Sequence, residues 1–343
     1  MHIVNVRNVC EALPATLRVL HSCGTYESSR AGDVLVAPYP IVTQTERPRE
    51  RVLFSATRDA NPFFHLAEAM WMLAGRNDAK FLNNFVHDFG DRYAEPDGRI
   101  HDAYGRRWRH SFGYDQIKEC VSRLTMDPLD RQCVITMWDP RQEFDNDFKG
   151  VGLKGRPCNT NIYLRVRRGE SLDMTVCCRS NDMIYGAHGA NAVHFSVLQE
   201  YLAARIDVDV GRMYQISNNA HIYMNMMAQL KLRVPINMEL YDSLIDNRYA
   251  DLRATALPMF DEPCLIDQDV NLFMNRYSYP ANEFTLISNG YHNVWFADVL
   301  TQAMRAHSFY KQKRYNEALT SAGFIASSDW RIACTEWIQR RAK

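Results

Sequence analysis

The chain has no charge imbalance: Lys+Arg and Asp+Glu each number 40 in 343 residues. A nucleic-acid scaffold normally carries a basic excess, so that class is disfavoured. No apolar run approaches the ~20 residues of a membrane span, although 46% of residues are hydrophobic. The opening Met-His-Ile-Val-Asn-Val-Arg lacks the basic-then-apolar pattern of a leader. The nine cysteines are odd in number and contain no Cys-x-x-Cys pair, which argues against a disulfide framework or structural zinc. The expectation is a reduced, cytoplasmic protein without a metal, in which most cysteines are small buried hydrophobes. Internal repeats, low-complexity tracts and a clear linker are also absent, and this length can bury a substantial core.

What is present is a set of regular elements around one dense block. An amphipathic opening runs from about Val9 to Leu20, and a strand-like Val34-Leu35-Val36 follows Arg30, which alone reads as a solvated loop residue. Asn61-Pro62 is a cap followed by proline at the first helical position. Phe63, Leu66, Ala67, Met70, Trp71, Leu73 and Ala74 then keep helical spacing up to Gly75. Glu68 falls inside that run, where a carboxylate is either paired or used, or lies at the stripe's wet edge. His101-Asp102-Ala103-Tyr104-Gly105-Arg106-Arg107-Trp108-Arg109 is an aromatic and cationic cluster suited to a packing corner or an anion site.

Cys133 to Trp138 reads as a buried strand ended by Asp139-Pro140. Asn161 to Val166 alternates and turns at Arg168-Gly169-Glu170, and Leu172 to Cys178 returns as a hairpin. Asn191 opens an apolar helix to Ala204, and Val208 to Met213 reads as a further strand. Beyond about Pro235 there are amphipathic segments (Met238 to Ile245, Val294 to Met304, Asp329 to Arg341) but no chemical constellation.

The dense block runs from Arg156 to Tyr223. Cys158 sits at a strand entrance beside Pro157, where a nearby cation such as Arg179 favours the thiolate. Arg30, Arg131, Arg179 and Ser180 suit a phosphate dianion. His221 and Tyr223, two apart on a strand, point the same way and could hold a sugar hydroxyl. The Asn191 amide offers a donor and an acceptor that can read a pyrimidine edge.

Pro157-Cys158, Cys178-Arg179-Ser180-x-Asp182-x-x-x-Gly186, Asn191 and His221-x-Tyr223 together resemble the thymidylate synthase and pyrimidine-nucleotide hydroxymethylase superfamily. Glu68-x-x-Trp71-x-x-x-Gly75, Tyr104-Gly105-x-x-Trp108-Arg109 and Asp130-Arg131 support the likeness, which covers roughly Arg30 to Tyr223. The resemblance implies an α+β fold: a mixed β-sheet covered by helices, packed back to back in a homodimer. It implies a single domain over 1–343, with about 236–343 as a divergent, mainly helical C-terminal extension. It implies 5,10-methylenetetrahydrofolate as co-substrate and a pyrimidine nucleoside monophosphate as substrate.

By the same resemblance, Cys158 is the nucleophile toward C6 of the pyrimidine, Glu68 organises water and proton transfer, and Tyr104 lies near C5. Arg30, Arg179 and Ser180 are phosphate ligands, with Arg131 reaching across the dimer interface. Asp182 contacts the folate ring and supports catalysis, and Trp108 falls on the folate side. Gly186 and Asn191 lie at the base and His221 and Tyr223 at the ribose, and Asn159, standing where a histidine usually follows the nucleophile, is a further substrate contact.

Further positions depart from the methylating enzymes. Gln132 replaces a second arginine, Ser217-Asn218-Asn219 replaces Gly-Gly-Asp, and the Gly186 to Asn191 spacing is one residue longer. Asp88, Phe89 and Gly90 stand where a folate-stacking tryptophan is expected, and Gln339-Arg340-Arg341-Ala342-Lys343 is not an apolar closing tail. A methylene intermediate left open to water is hydrated, whereas one in a dry site can accept hydride. The expectation is therefore 5-hydroxymethylation of a pyrimidine nucleotide, dUMP favoured, with dCMP or CMP as the rival substrate. Reductive methylation of dUMP and an inactive nucleotide- or RNA-binding homologue are the other readings. A cysteine or metal hydrolase using Cys158, Cys177 and Cys178 with nearby histidines fits poorly, because adjacent cysteines on a strand face opposite ways and make a poor ligand pair.

Overall fold

Alternating apolar positions build ten strands in a computed structural model of the chain, which describes residues 1–148, 153–229, 241, 244–277 and 290–342. In chain order they are β1 (His2–Val6), β2 (Thr25–Ser29), β3 (Gly32–Val36), β4 (Ile41–Thr45), β5 (Val134–Thr136), β6 (Asn159–Arg167), β7 (Ser171–Cys178), β8 (Asn181–Asp182), β9 (Asp209–Ser217) and β10 (Ala220–Tyr223). Six form one sheet in the order β1-β4-β9-β7-β6-β5, and four form a second in the order β2-β3-β10-β8. The larger sheet is mixed: β1/β4 and β7/β9 run parallel, while β4/β9, β6/β7 and β5/β6 run antiparallel. On β7, Leu172, Met174, Val176 and Cys178 enter the core while the intervening residues are half-buried, the period-2 pattern of a one-sided sheet.

The β6–β7 hairpin turns where expected, and Arg168 and Gly169 take the positive φ values of 55° and 73° that reverse the chain. The expected strand over Cys133 to Trp138 shrinks to three residues, because Asp139-Pro140 already opens the helix Pro140–Phe148. The opening helix spans Val9–Cys23. Asn61 caps the helix Pro62–Leu73 by accepting from the Phe64 amide at 3.1 Å, with Pro62 at its first turn. Gly75, at φ +67°, ends the segment as a left-handed stop.

Past Tyr223, the described chain is mainly helical, with helices at Ile266–Arg276, Thr301–Lys311, Tyr315–Gly323 and Ser328–Gln339. Of the amphipathic segment read from Met238 to Ile245, residues 238–240 and 242–243 lie outside the described residues. These C-terminal helices share the apolar core of the sheet layer and pack on the outer side of the Pro62 helix. There the Phe63 ring lies 5.4 Å from Trp337 and 5.2 Å from His307, and Phe85 stacks on Tyr277 at 5.2 Å. Among the described residues no helix is long and apolar enough to cross a membrane.

Candidate active site

With its outer side packed on the C-terminal helices, the Pro62 helix turns another stripe to an open cavity of about 460 Å³. Asn61, Phe64, Glu68 and Trp71 recur at helical spacing along that wall. Facing them are Tyr104, from the short helix Tyr104–Arg109, and Asn191, at the start of the helix Asn191–Arg205. Three of the expected residues, Glu68, Tyr104 and Asn191, therefore line one space.

The spacing surplus before Asn191 has a local explanation. Met183–Ala190 is a π-helical segment, and the Asn191 amide donates to the Gly186 carbonyl, five residues back. The backbone leaves helical geometry at His188 and Gly189, a kink that takes up the extra residue, and Asn191 lines the cavity. The Asp182 carboxylate caps this segment by accepting from the amides of Ile184, Tyr185 and Gly186 at 3.3, 2.7 and 3.2 Å. Burial nonetheless raises its pKa, with those amides and His221 opposing the shift.

Cys158 is half-buried at the mouth of β6. Burial raises its thiol pKa; the positive charge of Arg179 opposes this, and Asp102 and Asp182 add to it. The Arg179 guanidinium donates to the carbonyls of Pro157 and Arg156, both at 3.0 Å, and the Arg179 amide donates to the Cys158 carbonyl at 2.9 Å. Arg179 therefore also braces the loop that carries the thiol, beyond the phosphate-ligand role expected from the sequence. Tyr104 feels the charges of Cys158, Cys178 and Asp102, after burial itself, and its hydroxyl pKa lies well above the usual value.

Tyr223 closes the group from β10. Burial raises its pKa, followed by the charges of Asp182 and Cys158, while exposed Arg30 opposes the rise. His221 packs edge-on against Tyr223 at 5.1 Å, with Nδ1 beside the Asn219 carbonyl at 3.2 Å and the Asn219 Oδ1 at 3.0 Å. Ser180 is half-buried beside Arg179, and Arg131 stands exposed in the loop before β5, outside this group.

Two expectations are corrected. Trp108 is 0% exposed and donates its indole N–H to the Met137 sulfur at 3.2 Å, so it is a core residue rather than a folate contact. Asn159 is also 0% exposed, with Nδ2 donating to the Cys178 sulfur at 3.6 Å. Strand alternation turns it away from the side that Cys158 serves.

Three residues in the cavity wall were not singled out from the sequence. His194 places Nε2 2.9 Å from Glu68 Oε2; its signal is the three-residue step from Asn191 along one helix. Arg58 is buried, donates from Nε to the Ile184 carbonyl at 3.1 Å and stacks over Tyr185 at 4.0 Å. Asp102 supplies a further carboxyl to the cavity, its pKa raised by burial. In place of the missing tryptophan, Phe89 forms an aromatic wall with Tyr93 and Phe64, at 4.7 and 5.6 Å between rings. The cationic cluster around Arg107 is no external anion site, because buried Glu143 occupies it. Among the described residues no group of three His, Cys, Asp or Glu side chains could hold a metal.

Iodoacetamide labelling of Cys158, followed by site-resolved mass spectrometry, is expected to show a pH limb above the ~8.5 of an ordinary thiol. The raised pKa delays thiolate formation as pH rises. Arg179→Ala should move the limb higher still, and a wild-type limb at or below the ordinary value would contradict the burial argument.

Comparison with known proteins places these features. The thymidylate synthase family profile matches residues 22–244. The chain is 37% identical to a deoxyuridylate hydroxymethyltransferase of Pseudomonas phage M6, over 99% of this chain and 95% of that one. It is 32% identical to a deoxyuridylate hydroxymethyltransferase of Bacillus phage SP01, over 74% of this chain and 64% of that protein. The crystal structure of thymidylate synthase from T4 phage superposes with a TM-score of 0.52 at 22% identity, covering 64% of this chain and 78% of that chain, a likeness of fold.

Proposed function

The chain belongs to the thymidylate synthase family, and we propose that it transfers a hydroxymethyl group to C5 of deoxyuridine monophosphate. The one-carbon donor in this reading is 5,10-methylenetetrahydrofolate, with water as the second reactant. The observation that carries it is the near full-length likeness to a deoxyuridylate hydroxymethyltransferase, joined to a cavity whose lining includes the carboxyls of Glu68 and Asp102, with Asp59 on its rim.

The Cys158 thiolate adds to C6 of the pyrimidine, and the electron pair passes to C5 and the C4 carbonyl. C5 then forms a bond to the methylene carbon of the folate as that carbon's bond to N10 breaks, N10 taking up a proton and N5 remaining attached. Loss of the C5 proton and departure of tetrahydrofolate leave an exocyclic methylene conjugated to the C4 carbonyl. Water adds to that methylene carbon, its proton passing to a base in the cavity, and the electron pair again moves to the C4 oxygen. Expulsion of the Cys158 sulfur restores the C5–C6 double bond, so no oxidant or reductant is consumed.

In this reading Glu68, with His194 Nε2 2.9 Å from its carboxylate, orders the water, and Tyr104 stands by C5. Arg30, Arg179 and Ser180 meet the phosphate, assisted by Arg131 of the partner subunit in a homodimer built on the open face of the larger sheet. His221 and Tyr223 hold the ribose, Gly186 and Asn191 meet the base, and Asp182 supports the folate side. The chain spans one domain, with the C-terminal helices as its extension.

Incubating the protein with dUMP and methylenetetrahydrofolate should yield tetrahydrofolate and 5-hydroxymethyl-dUMP. Dihydrofolate and thymidylate as the products would reject the proposal in favour of reductive methylation.

A further inference from the structure

The amide of Asn191 is not isolated. Its Nδ2 donates to Asn181 Oδ1 at 3.2 Å, and Asn181 Nδ2 donates in turn to Ser217 Oγ at 3.0 Å. All three side chains are buried, Asn181 and Ser217 at 3% exposure and Asn191 at 7%. Three different elements contribute them: β8, the helix Asn191–Arg205 and the end of β9. The Asn181 backbone is itself fixed, its amide donating to the Asn219 carbonyl at 2.9 Å. Gly186 backs the array, since a Cβ there would lie 2.9 Å from Asn181 Oδ1 and 3.9 Å from Asn191 Nδ2. The residue at 186 must therefore lack a side chain for the array to keep its place.

A primary amide has two N–H bonds, one on the carbonyl side and one on the far side. With one N–H taken by Asn181, the other N–H and the Oδ1 are the groups of the amide edge left to a base. That edge donates to a carbonyl oxygen and accepts from an adjacent ring N–H, the pattern of O4 and N3–H in uracil. Cytosine presents the reverse, an amino donor and a bare N3. Turning the Asn191 amide over to read cytosine would set its Oδ1 against Asn181 Oδ1, two acceptors in contact in a dry site.

We propose that Asn181 is a specificity-positioning residue: its Oδ1, accepting from Asn191, holds the Asn191 amide in the orientation that selects uracil over cytosine. The inference rests on the reading of this cavity as a pyrimidine nucleotide site and names how that site discriminates. It predicts that discrimination is lost when Asn181 can no longer accept, even though Asn191 itself is intact.

The test is equilibrium binding of dUMP and of dCMP to the full-length protein without folate, so that it does not depend on turnover. Wild type should prefer dUMP. Asn181→Leu should reduce the dUMP-to-dCMP affinity ratio by about tenfold or more, the scale of one bidentate base contact. Asn181→Asp keeps the acceptor toward Asn191 and should retain the ratio. A fall in affinity for both nucleotides alike, or an unchanged ratio in Asn181→Leu, would overturn the proposal. Should that variant fail to fold, Asn181→Asp decides, because a carboxylate can only accept from Asn191: a retained ratio supports the proposal and a lost one refutes it. Wild type that prefers dCMP refutes the orientation alone. Wild type that binds neither nucleotide removes the underlying site reading and the inference with it.

Discussion

Cys158→Ser is expected to abolish release of tritium from [5-³H]dUMP, by on the order of 10³-fold or more, because loss of a covalent nucleophile removes the step on which all later ones depend. A serine hydroxyl is almost wholly protonated at neutral pH, and the half-buried position that already disfavours the Cys158 thiolate would disfavour an alkoxide far more. The neighbouring sulfurs do not offer a substitute: Cys178 is buried, with its pKa pushed up to about 12. The substitution is nearly isosteric, so nucleotide binding and thermal stability should stay close to wild type. Measured together, these readouts separate chemistry from folding, and tritium release at the wild-type rate would remove Cys158 from the reaction.

The largest expected effect on stability lies beneath the site, at Glu143. Its carboxylate is 0% exposed, with Oε1 2.6 Å from Arg107 Nη2 and Oε2 3.1 Å from His101 Nε2. Arg107, also buried, donates from Nη1 to the Met137 carbonyl at 2.6 Å. The Glu143 carbonyl accepts from Arg156 at 3.0 Å, which links the triad to the segment leading into Cys158. Glu143→Ala would leave the Arg107 guanidinium in the interior without its counter-charge, a change that costs about 3–5 kcal/mol. Urea unfolding should show this loss, and a value below ~1 kcal/mol would mean that water or a rearrangement replaces the pair.

The triad also carries a pH signature. Burial alone would raise the Glu143 pKa, but the hydrogen bond to His101 and the charge of Arg107 outweigh it and hold the carboxyl below its ordinary range. A depressed folded-state pKa contributes stability that is present above the unfolded value and lost as pH falls through the folded one. The wild-type protein should lose that stability at acid pH, and Glu143→Gln, which has no carboxyl to protonate, should lack that limb.

Much of the site was legible because strands and helices impose fixed periods. The step from His221 to Tyr223 puts two side chains on one face of β10, and Asn61-Pro62 announces the helix that presents Glu68. Trp108 and Asn159 misled for the same reason: motif neighbours share sequence but not direction, and backbone geometry turned both into the core. Asp102 and Arg58 gave no periodic signal because loops carry them to the cavity. The cluster around Arg107 left a packing corner and an anion site both open, because the partner Glu143 lies 36 residues further along.

The C-terminal segment shows the same divide. Its amphipathic spacing was visible, but its place was not. Arg340 reaches Asp59 at 3.0 Å, on the rim of the cavity, while Arg341 pairs with the same carboxylate and stacks on Trp337 at 4.0 Å. Asp59 itself adopts φ +46°, a left-handed conformation that no local motif announces.

By itself the sequence determined the chemical groups, their spacing along each element and the family those spacings resemble, because all three follow from local periodicity and residue chemistry. Only the tertiary structure decided which groups meet: the kink at His188 and Gly189 before Asn191, the Asn181–Ser217 array beside it and the Glu143 triad tied by Arg156 to the segment that leads into Cys158. Those depend on packing between elements distant in the chain, where burial and the need to pair each polar atom select one arrangement among many.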